Sequence, residues 1–167
     1  MNFRKYNVIG VISALFLMVA SGVVASTASI RLAPSFNVQN LVGGEAINLD
    51  QFQGKVVYVD FWASWCGPCL KSFPFMEEMH RQYSHRGLVI VAINMDQDPH
   101  DAHEFLAEHP VTFLIGQDIE GIVAEQYGVI AMPSSFVIGR DGLIKKVHYG
   151  FKSSDKEKIA SLISKLL

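Results

Sequence analysis

The clearest pattern along the chain is a pair of apolar runs separated by a stretch of helical periodicity. The runs cover 55–61 and 88–95 and are rich in β-branched residues, which predicts two buried strands. The apolar positions between them recur at spacings of three and four, at Phe73, Met76, Met79 and Tyr83. This spacing predicts a helix over 67–84 with a kink at Pro74. Strand, helix and strand in that order favour a parallel pair of strands joined by a right-handed crossover.

Weaker patterns predict the elements around this unit, with glycine and proline setting most of the boundaries. In chain order they are strands at 36–38 and 47–49 around a Gly43-Gly44 turn, a helix starting at Asp98-Pro99, a strand at 113–115, a helix at 119–127, a hairpin of 134–138 and 143–149, and a last helix capped by 153–155. We therefore predict one α/β domain over 29–167, with a mixed central sheet flanked by helices.

The first 28 residues differ in composition from the rest. A short leader with Arg4 and Lys5 precedes an apolar run at 8–25 that carries no charge. Small residues then offer cleavage sites of the small-x-Ala type, ending at Ala25 and Ala28. We therefore predict that 1–28 is a secretory signal peptide. A run of about 18 residues is also near the lower limit for crossing a bilayer, so an uncleaved membrane anchor is the alternative. In either case the domain is expected to be exported.

Composition and charge narrow the class of protein. Hydrophobic residues make up 50% of the 167 residues and charged residues 18%, which suits a folded domain with a substantial core. The formal net charge is −2, and the sequence has no basic stripe. Nucleic-acid binding is therefore excluded as a function class.

The chain contains two cysteines, Cys66 and Cys69, which form one Cys-x-x-Cys motif between the first buried strand and the helix. Two thiols at such a junction are typical of a redox centre. A pair so close in sequence cannot cross-link distant segments as the bridges of small secreted domains do. A zinc site would need two more ligands, and the histidines lack the paired spacing that such sites use. We interpret His100 and His103, one turn apart on a predicted helix, as surface residues.

Three further residues near the cysteines carry predictions of their own. Asp60 is an acid inside an apolar strand, six residues before Cys66. Burying a carboxyl group is costly, so this placement favours a functional role. Trp65 directly precedes Cys66 and is expected to shield and shape the site. Trp62 is expected to pack in the core.

The stretch 60–69, Asp-Phe-Trp-Ala-Ser-Trp-Cys-Gly-Pro-Cys, and the order of elements resemble the thioredoxin superfamily over about 35–167. The segment 128–133 is similar to the one that carries the cis-proline of that family, which Pro133 would match. The exported start and the extra material between Leu88 and Val129 resemble the TlpA/ResA branch. The resemblance implies a thioredoxin fold with an N-terminal strand extension and an inserted strand-helix unit.

Three positions bear on how far this resemblance extends. The branch often has Asn where this chain has Asp60, and some members place a Glu three residues past the second cysteine, where this chain has Ser72. The lysine that thioredoxin carries near its buried acid corresponds to Ala92. The chain therefore keeps the acid of the thioredoxin type without its lysine partner.

The resemblance also implies separate roles for the two thiols. Cys66, just ahead of the helix, would be the attacking thiolate, because unpaired N–H groups and the helix dipole stabilise an anion there. Cys69 would resolve the mixed disulfide, and Asp60 beneath it would accept its proton. The dipeptide Gly67-Pro68 is that of thioredoxin and predicts a reducing potential. Substrate-binding residues are expected at Trp65, Gly67, Pro68, Met132 and Pro133, with no cofactor and no metal.

The resulting hypothesis is a periplasmic or otherwise extracytoplasmic thiol-disulfide oxidoreductase that reduces protein disulfides, in cytochrome c maturation or in the repair of secreted proteins. Because the cell exterior is oxidising, a membrane donor of the DsbD type would have to supply the electrons. Three alternatives are an oxidant of the same fold, a thiol peroxidase, and a binding module with vestigial cysteines. The eight residues before Cys66 contain no proline, which argues against the peroxidase motif.

Overall fold

The computed structural model describes residues 31–167, so the predicted signal peptide or anchor at 1–28 lies outside the described residues. The described strands are β1 (Asn37–Asn40), β2 (Ile47–Asn48), β3 (Val56–Trp62), β4 (Leu88–Asn94), β5 (Leu114–Gln117), β6 (Ser134–Ile138) and β7 (Ile144–Tyr149). The described helices are α1 (Cys69–Tyr83), α2 (Pro99–Glu108), α3 (Ile122–Tyr127) and α4 (Lys156–Leu166). Among residues 31–167, no helix combines the length and hydrophobicity that a membrane crossing requires.

The strands form one mixed sheet in the order β2-β1-β5-β4-β3-β6-β7. Strand β3 pairs in parallel with β4 and antiparallel with β6, and all seven of its residues are buried. A strand whose two faces are both covered is mostly apolar, which explains the apolar run in the sequence and makes Asp60 an exception within it. The predicted central strand, the parallel β3–β4 pair and the mixed α/β sheet are confirmed.

The two faces of the sheet carry separate hydrophobic clusters. Along β3, Tyr58 and Trp62 belong to one cluster, which also contains both cysteines and buried residues of α1, α2 and α4. Val59 and Phe61 belong to the other, together with buried residues of α3. Because successive side chains of a strand point to opposite faces, even-numbered residues of β3 face α1.

Helix α1 starts two residues later than predicted. The expected helix over 67–84 begins at Cys69, with Pro68 as its N-cap residue. The preceding residues form a turn instead, in which Cys66 N–H donates to the carbonyl of Ala63 at 3.1 Å. The helix continues through Pro74, which is exposed, and ends at Tyr83 as expected.

Other boundaries were also predicted wrongly. Leu49 does not extend β2 but opens a 3-10 turn over Leu49–Phe52, which the Asn48 side chain caps by accepting from Asp50 N–H. The helix predicted at 119–127 starts only at Ile122, because Gly121 has a left-handed backbone with φ of 70°. The strand predicted at 113–115 is shifted to β5, where it pairs in parallel with β4.

The last helix also starts differently from its prediction. Residues Ser153–Asp155 form a 3-10 turn of their own, in which the Asp155 carboxylate accepts from Lys152 N–H at 2.8 Å. They make no side-chain cap on α4, which begins at Lys156. The predicted apolar face of this helix is present, with Ile159 and Ile163 buried against the cluster that contains the cysteines.

Candidate active site

Cys66 and Cys69 are joined by a disulfide bond in the turn between β3 and α1. Their Cα atoms are 5.3 Å apart, and Cys69 N–H donates to the Cys66 carbonyl at 2.9 Å. Cys69 is also the first residue of α1, a helix of 15 residues. The second sulfur is therefore fixed to the helix, whereas the first sits in the turn ahead of it.

The two cysteines differ in their surroundings. Cys69 is completely buried and Cys66 is 4% exposed, but the residues on either side of Cys66 reach the surface. Trp65 is 71% exposed, and both Gly67 and Pro68 are exposed. A partner molecule approaching the disulfide would therefore meet Trp65 and the Gly67-Pro68 turn around the Cys66 side.

The loop 129–133 reaches the same end of the sheet. The peptide bond between Met132 and Pro133 is cis. The next residue, Ser134, opens β6 and is paired with Phe61 near the end of β3, so Pro133 lies beside the strand that leads to the cysteines. Met132 is half-buried against the cluster containing both cysteines, while Ile130 is 84% exposed.

Asp60 lies inside the protein on the α1 face of the sheet. It is 1% exposed, between Tyr58 and Trp62 on the even-numbered side of β3, the side on which Cys69 packs. Its Oδ2 atom has no hydrogen-bond partner among the described residues. Burial raises the pKa of this carboxyl group well above its usual range, because the charged form loses its hydration. Asp60 therefore holds its proton more tightly than an exposed carboxyl group does.

The strands on either side of β3 contribute no cation to Asp60. Ala92 of β4 and Ser135 of β6 are its register partners, and both are buried. Tyr58, two residues earlier on the same face, has a raised pKa because it is buried and because Asp60 is near.

A buried polar network next to the cysteines escaped the sequence analysis. The Asp96 carboxylate, 1% exposed, accepts from Ser64 N–H at 3.0 and 3.2 Å and from Ser64 Oγ at 3.1 Å. It also accepts from Asn94 Nδ2 at 2.8 Å. The signal for this network was the Asn-x-Asp sequence that begins at Asn94, the last residue of the buried parallel strand β4, at the edge where such sheets carry their sites.

Aromatic residues join the end of β3 to the helices. The Trp62 ring lies 4.7 Å from that of Phe73 on α1 and 4.9 Å from that of Phe105 on α2. Trp62 is completely buried, as its predicted packing role requires. His100 and His103, predicted to be surface residues, are exposed on α2, and His100 lies 3.2 Å from Glu104.

Comparisons with known proteins agree with this geometry. The Redoxin family model matches residues 29–163. The thiol-disulfide oxidoreductase ResA of Bacillus thuringiensis subsp. konkukian is 34% identical over 134 residues, which cover 80% of this chain and 76% of the relative. ResA of Bacillus subtilis is 33% identical over 118 residues, covering 71% of this chain and 65% of the relative.

A solved structure gives the same result. The crystal structure of a candidate thiol:disulfide interchange protein DsbE from Chlorobium tepidum superposes with a TM-score of 0.79 at 41% identity. The match covers 82% of this chain and 96% of that one. The predicted thioredoxin fold and the predicted thiol-disulfide oxidoreductase are both confirmed. The chain belongs to the Redoxin family, as a TlpA/ResA-like thiol-disulfide oxidoreductase of the thioredoxin superfamily.

Proposed function

We propose that this oxidoreductase works in the reducing direction, on disulfides of exported proteins. The observation that carries the proposal is the arrangement of two unequal sulfurs above a buried acid: Cys66 in an exposed turn, Cys69 buried at the helix start, and Asp60 on the face that Cys69 covers. The Gly67-Pro68 pair between the cysteines is that of thioredoxin, a reductant with a potential of about −270 mV.

In the proposed reaction, the Cys66 thiolate attacks one sulfur of a substrate disulfide and displaces the other as a thiolate, which takes up a proton. Cys69 then attacks Cys66 in the mixed disulfide and releases the second substrate sulfur. The substrate gains two electrons and two protons, and the Cys66–Cys69 disulfide forms. Asp60 receives the proton that Cys69 loses, since burial raises the pKa of this carboxyl group and makes it a better proton acceptor than an exposed carboxylate.

The proposed substrate contacts surround Cys66. In this proposal Trp65 and the exposed Gly67-Pro68 turn contact the substrate on one side, and the half-buried Met132 and the buried Pro133, at the end of the loop beside β3, mark the other side. Extended substrate backbone next to Pro133 would place its sulfur over Cys66.

The location and electron supply are part of the same proposal. Residues 1–28 have the charged leader, apolar run and small-residue sites of a signal peptide, or stay as an anchor. Outside the cytoplasm the disulfide would not be reduced by a thiol pool. A membrane donor of the DsbD type would therefore return two electrons per turnover.

A trapping experiment tests the proposal. In Cys69→Ser the second step is blocked, so mixed disulfides between Cys66 and physiological partners are expected to accumulate in cells and to disappear under dithiothreitol. Cys66→Ser is the matched control and should trap far less. Wild-type protein should reduce insulin disulfides. No trapped partner together with no insulin reduction would overturn the proposal, and a potential above about −150 mV would reverse the direction in favour of an oxidant.

A further inference from the structure

The turn that contains Cys66 is hydrogen-bonded to one buried carboxylate, that of Asp96. Ser64, two residues before Cys66, gives both its backbone N–H and its hydroxyl to Asp96. Asp96 belongs to a different strand end, directly after β4, and it is separated from Ser64 by 32 positions in the sequence. The link therefore ties the β3–α1 turn to the neighbouring strand.

Every contact of the Asp96 carboxylate is with a donor. Ser64 supplies two, and the Asn94 side chain supplies a third at 2.8 Å. The Asn94 carbonyl oxygen in turn accepts from Asp96 N–H at 3.1 Å, which fixes both residues. A site built only from donors fits an ionised carboxylate, which can only accept.

The Asp96 carboxylate lies within about 12 Å of the Cys66 Cα atom, because its Oδ2 atom is 3.0 Å from Ser64 N, two residues before Cys66. Consecutive Cα atoms are 3.8 Å apart, so the Cα atoms of Ser64 and Cys66 are within about 8 Å of each other. Asp96 is 1% exposed, and a buried charge is screened far less than a surface one. A negative charge at this distance opposes the thiolate that forms when the disulfide is reduced.

We propose that Asp96 is a positioning residue of the dithiol: it fixes Ser64, and with it the turn that carries Cys66, and its charge disfavours the reduced form. This inference rests on Cys66 being the attacking thiol. Its effect is to keep the pair reducing, since an oxidant such as DsbA is one whose reduced form is stabilised.

The other charged side chains near the turn are exposed, and none of them is substituted in the test below. A surface hollow of about 270 Å³ beside Ser64 is lined by Asp101, Glu104 and Glu108 of α2, together with Phe105. Asp118 is a second buried carboxylate at the same edge of the sheet, but it accepts from Ala124 N–H and does not touch the turn. Asp118→Asn is therefore a matched control.

The test measures thiolate formation and the reduction equilibrium in the full chain. Asp96→Asn keeps an oxygen that Ser64 can bond and removes the charge. We expect half-maximal alkylation of the reduced protein by iodoacetamide at a lower pH, and an equilibrium with dithiothreitol shifted at least threefold toward reduced protein. Asp118→Asn should leave both readings unchanged while losing thermal stability.

Ser64→Ala keeps the proposal testable if Asp96→Asn fails to fold. This variant retains the charge of Asp96 and removes a hydroxyl that partly neutralises it, so half-maximal alkylation should move to a higher pH. Unchanged alkylation in Ser64→Ala, unchanged readings in a folded Asp96→Asn, or an equal shift in Asp118→Asn would overturn the proposal. The Cys66–Cys69 equilibrium is measured without a protein substrate. A negative result here would therefore count against the role of Asp96 alone, whereas a negative trapping experiment would count against the proposed function.

Discussion

Asp60 lies directly opposite Ser135 in the antiparallel ladder of β3 and β6, and both residues are buried. On its other side Asp60 is in register with Ala92 of β4. No cation therefore reaches the carboxyl group from either neighbouring strand at its register position. Burial is the main influence on the ionisation of Asp60 and raises its pKa. The ionised carboxylate therefore destabilises the folded protein, and the carboxyl group can accept and release one proton.

The first prediction is that Asp60→Asn has a larger free energy of unfolding than wild type, by an amount that depends on pH. The pKa of Asp60 is higher in the folded state than in the unfolded state, so the folded protein binds the proton more tightly. Wild-type stability should therefore fall as the pH rises from about 4, the unfolded value, toward the raised folded value. Asp60→Asn lacks this slope.

Urea unfolding at pH 5 and pH 8 measures the effect, with the disulfide intact in both proteins. The advantage of Asp60→Asn over wild type should be larger at pH 8. An advantage that shrinks with rising pH would contradict the assignment of a buried, neutral carboxyl group.

The second prediction concerns the proton of Cys69. If Asp60 accepts it, Asp60→Asn should slow the resolution of a preformed mixed disulfide by about 100-fold at pH 7, the usual scale of general-base catalysis. Rapid quenching and mass measurement of the mixed disulfide give the rate. At pH 9, hydroxide can remove the proton directly, so the deficit should shrink. Equal rates at pH 7 would show that Asp60 has no part in this step.

The third prediction concerns recognition of protein substrates. Ile130 is 84% exposed in the loop that leads to Pro133, so its large apolar side chain is available for contact with a protein substrate. Ile130→Ser should raise the KM for a protein disulfide by about 3-fold to 10-fold, equivalent to about 1 kcal/mol. The rate with a small disulfide such as glutathione disulfide should change less than twofold.

The control for this measurement is Val42→Ser. Val42 is also exposed, at 63%, but it follows β1, three strands away from β3 in the sheet. Its KM for the same protein should equal that of wild type. An equal rise in both variants would mean that Ile130 acts through stability and not through contact.

The fourth prediction tests the end of the sheet remote from the cysteines. The Arg140 guanidinium donates to the carbonyls of Gly54, Arg86, Leu166 and Leu167 at 2.8–3.3 Å. Arg140→Ala should lower the free energy of unfolding by about 1–3 kcal/mol, because several carbonyls lose a charged donor together. Arg140→Lys should recover only part of this loss, since an ammonium cannot span the same acceptors.

Chemical denaturation measures the loss, and insulin reduction by the folded variants provides the second reading. The rate should be unchanged, because Arg140 binds the start of β3 and the end of α4 and not the turn with the cysteines. A reduced rate at temperatures where Arg140→Ala is fully folded would contradict this separation.

The sequence supports predictions where one periodicity dominates. β3 and β4 are buried on both faces, so their residues are mostly apolar, and α1 shows its buried face through Phe73 and Met76. Boundaries were missed where a backbone or side-chain contact decides them. The start of α3 follows from the left-handed Gly121 and from Asp118 accepting Ala124 N–H, neither of which leaves a periodic trace.

In the candidate site, too, residue types that stand out in the sequence could be predicted, whereas a contact between distant residues could not. Cys66, Cys69 and Asp60 are residue types that stand out in an apolar region, so sequence reasoning selects them. Asp96 and Ser64 are 32 positions apart, and only the parallel pairing of β3 with β4 brings them together. The sequence contains both residues, but the contact depends on the register of two strands.

The disulfide joins residues only three positions apart in the sequence. Because the loop is so short, the stability of the folded protein is directly related to the redox potential of the dithiol. So small a loop restricts the unfolded chain little, so the difference in stability between oxidised and reduced protein arises mainly in the folded state. Folding and reduction of the disulfide form a thermodynamic cycle. The difference in stability between the two redox forms therefore equals the difference in the free energy of reduction between the folded and the unfolded protein. Two denaturation curves, one for each redox form, therefore report the direction of electron flow without any redox partner: a reductase is more stable oxidised, and an oxidant is more stable reduced.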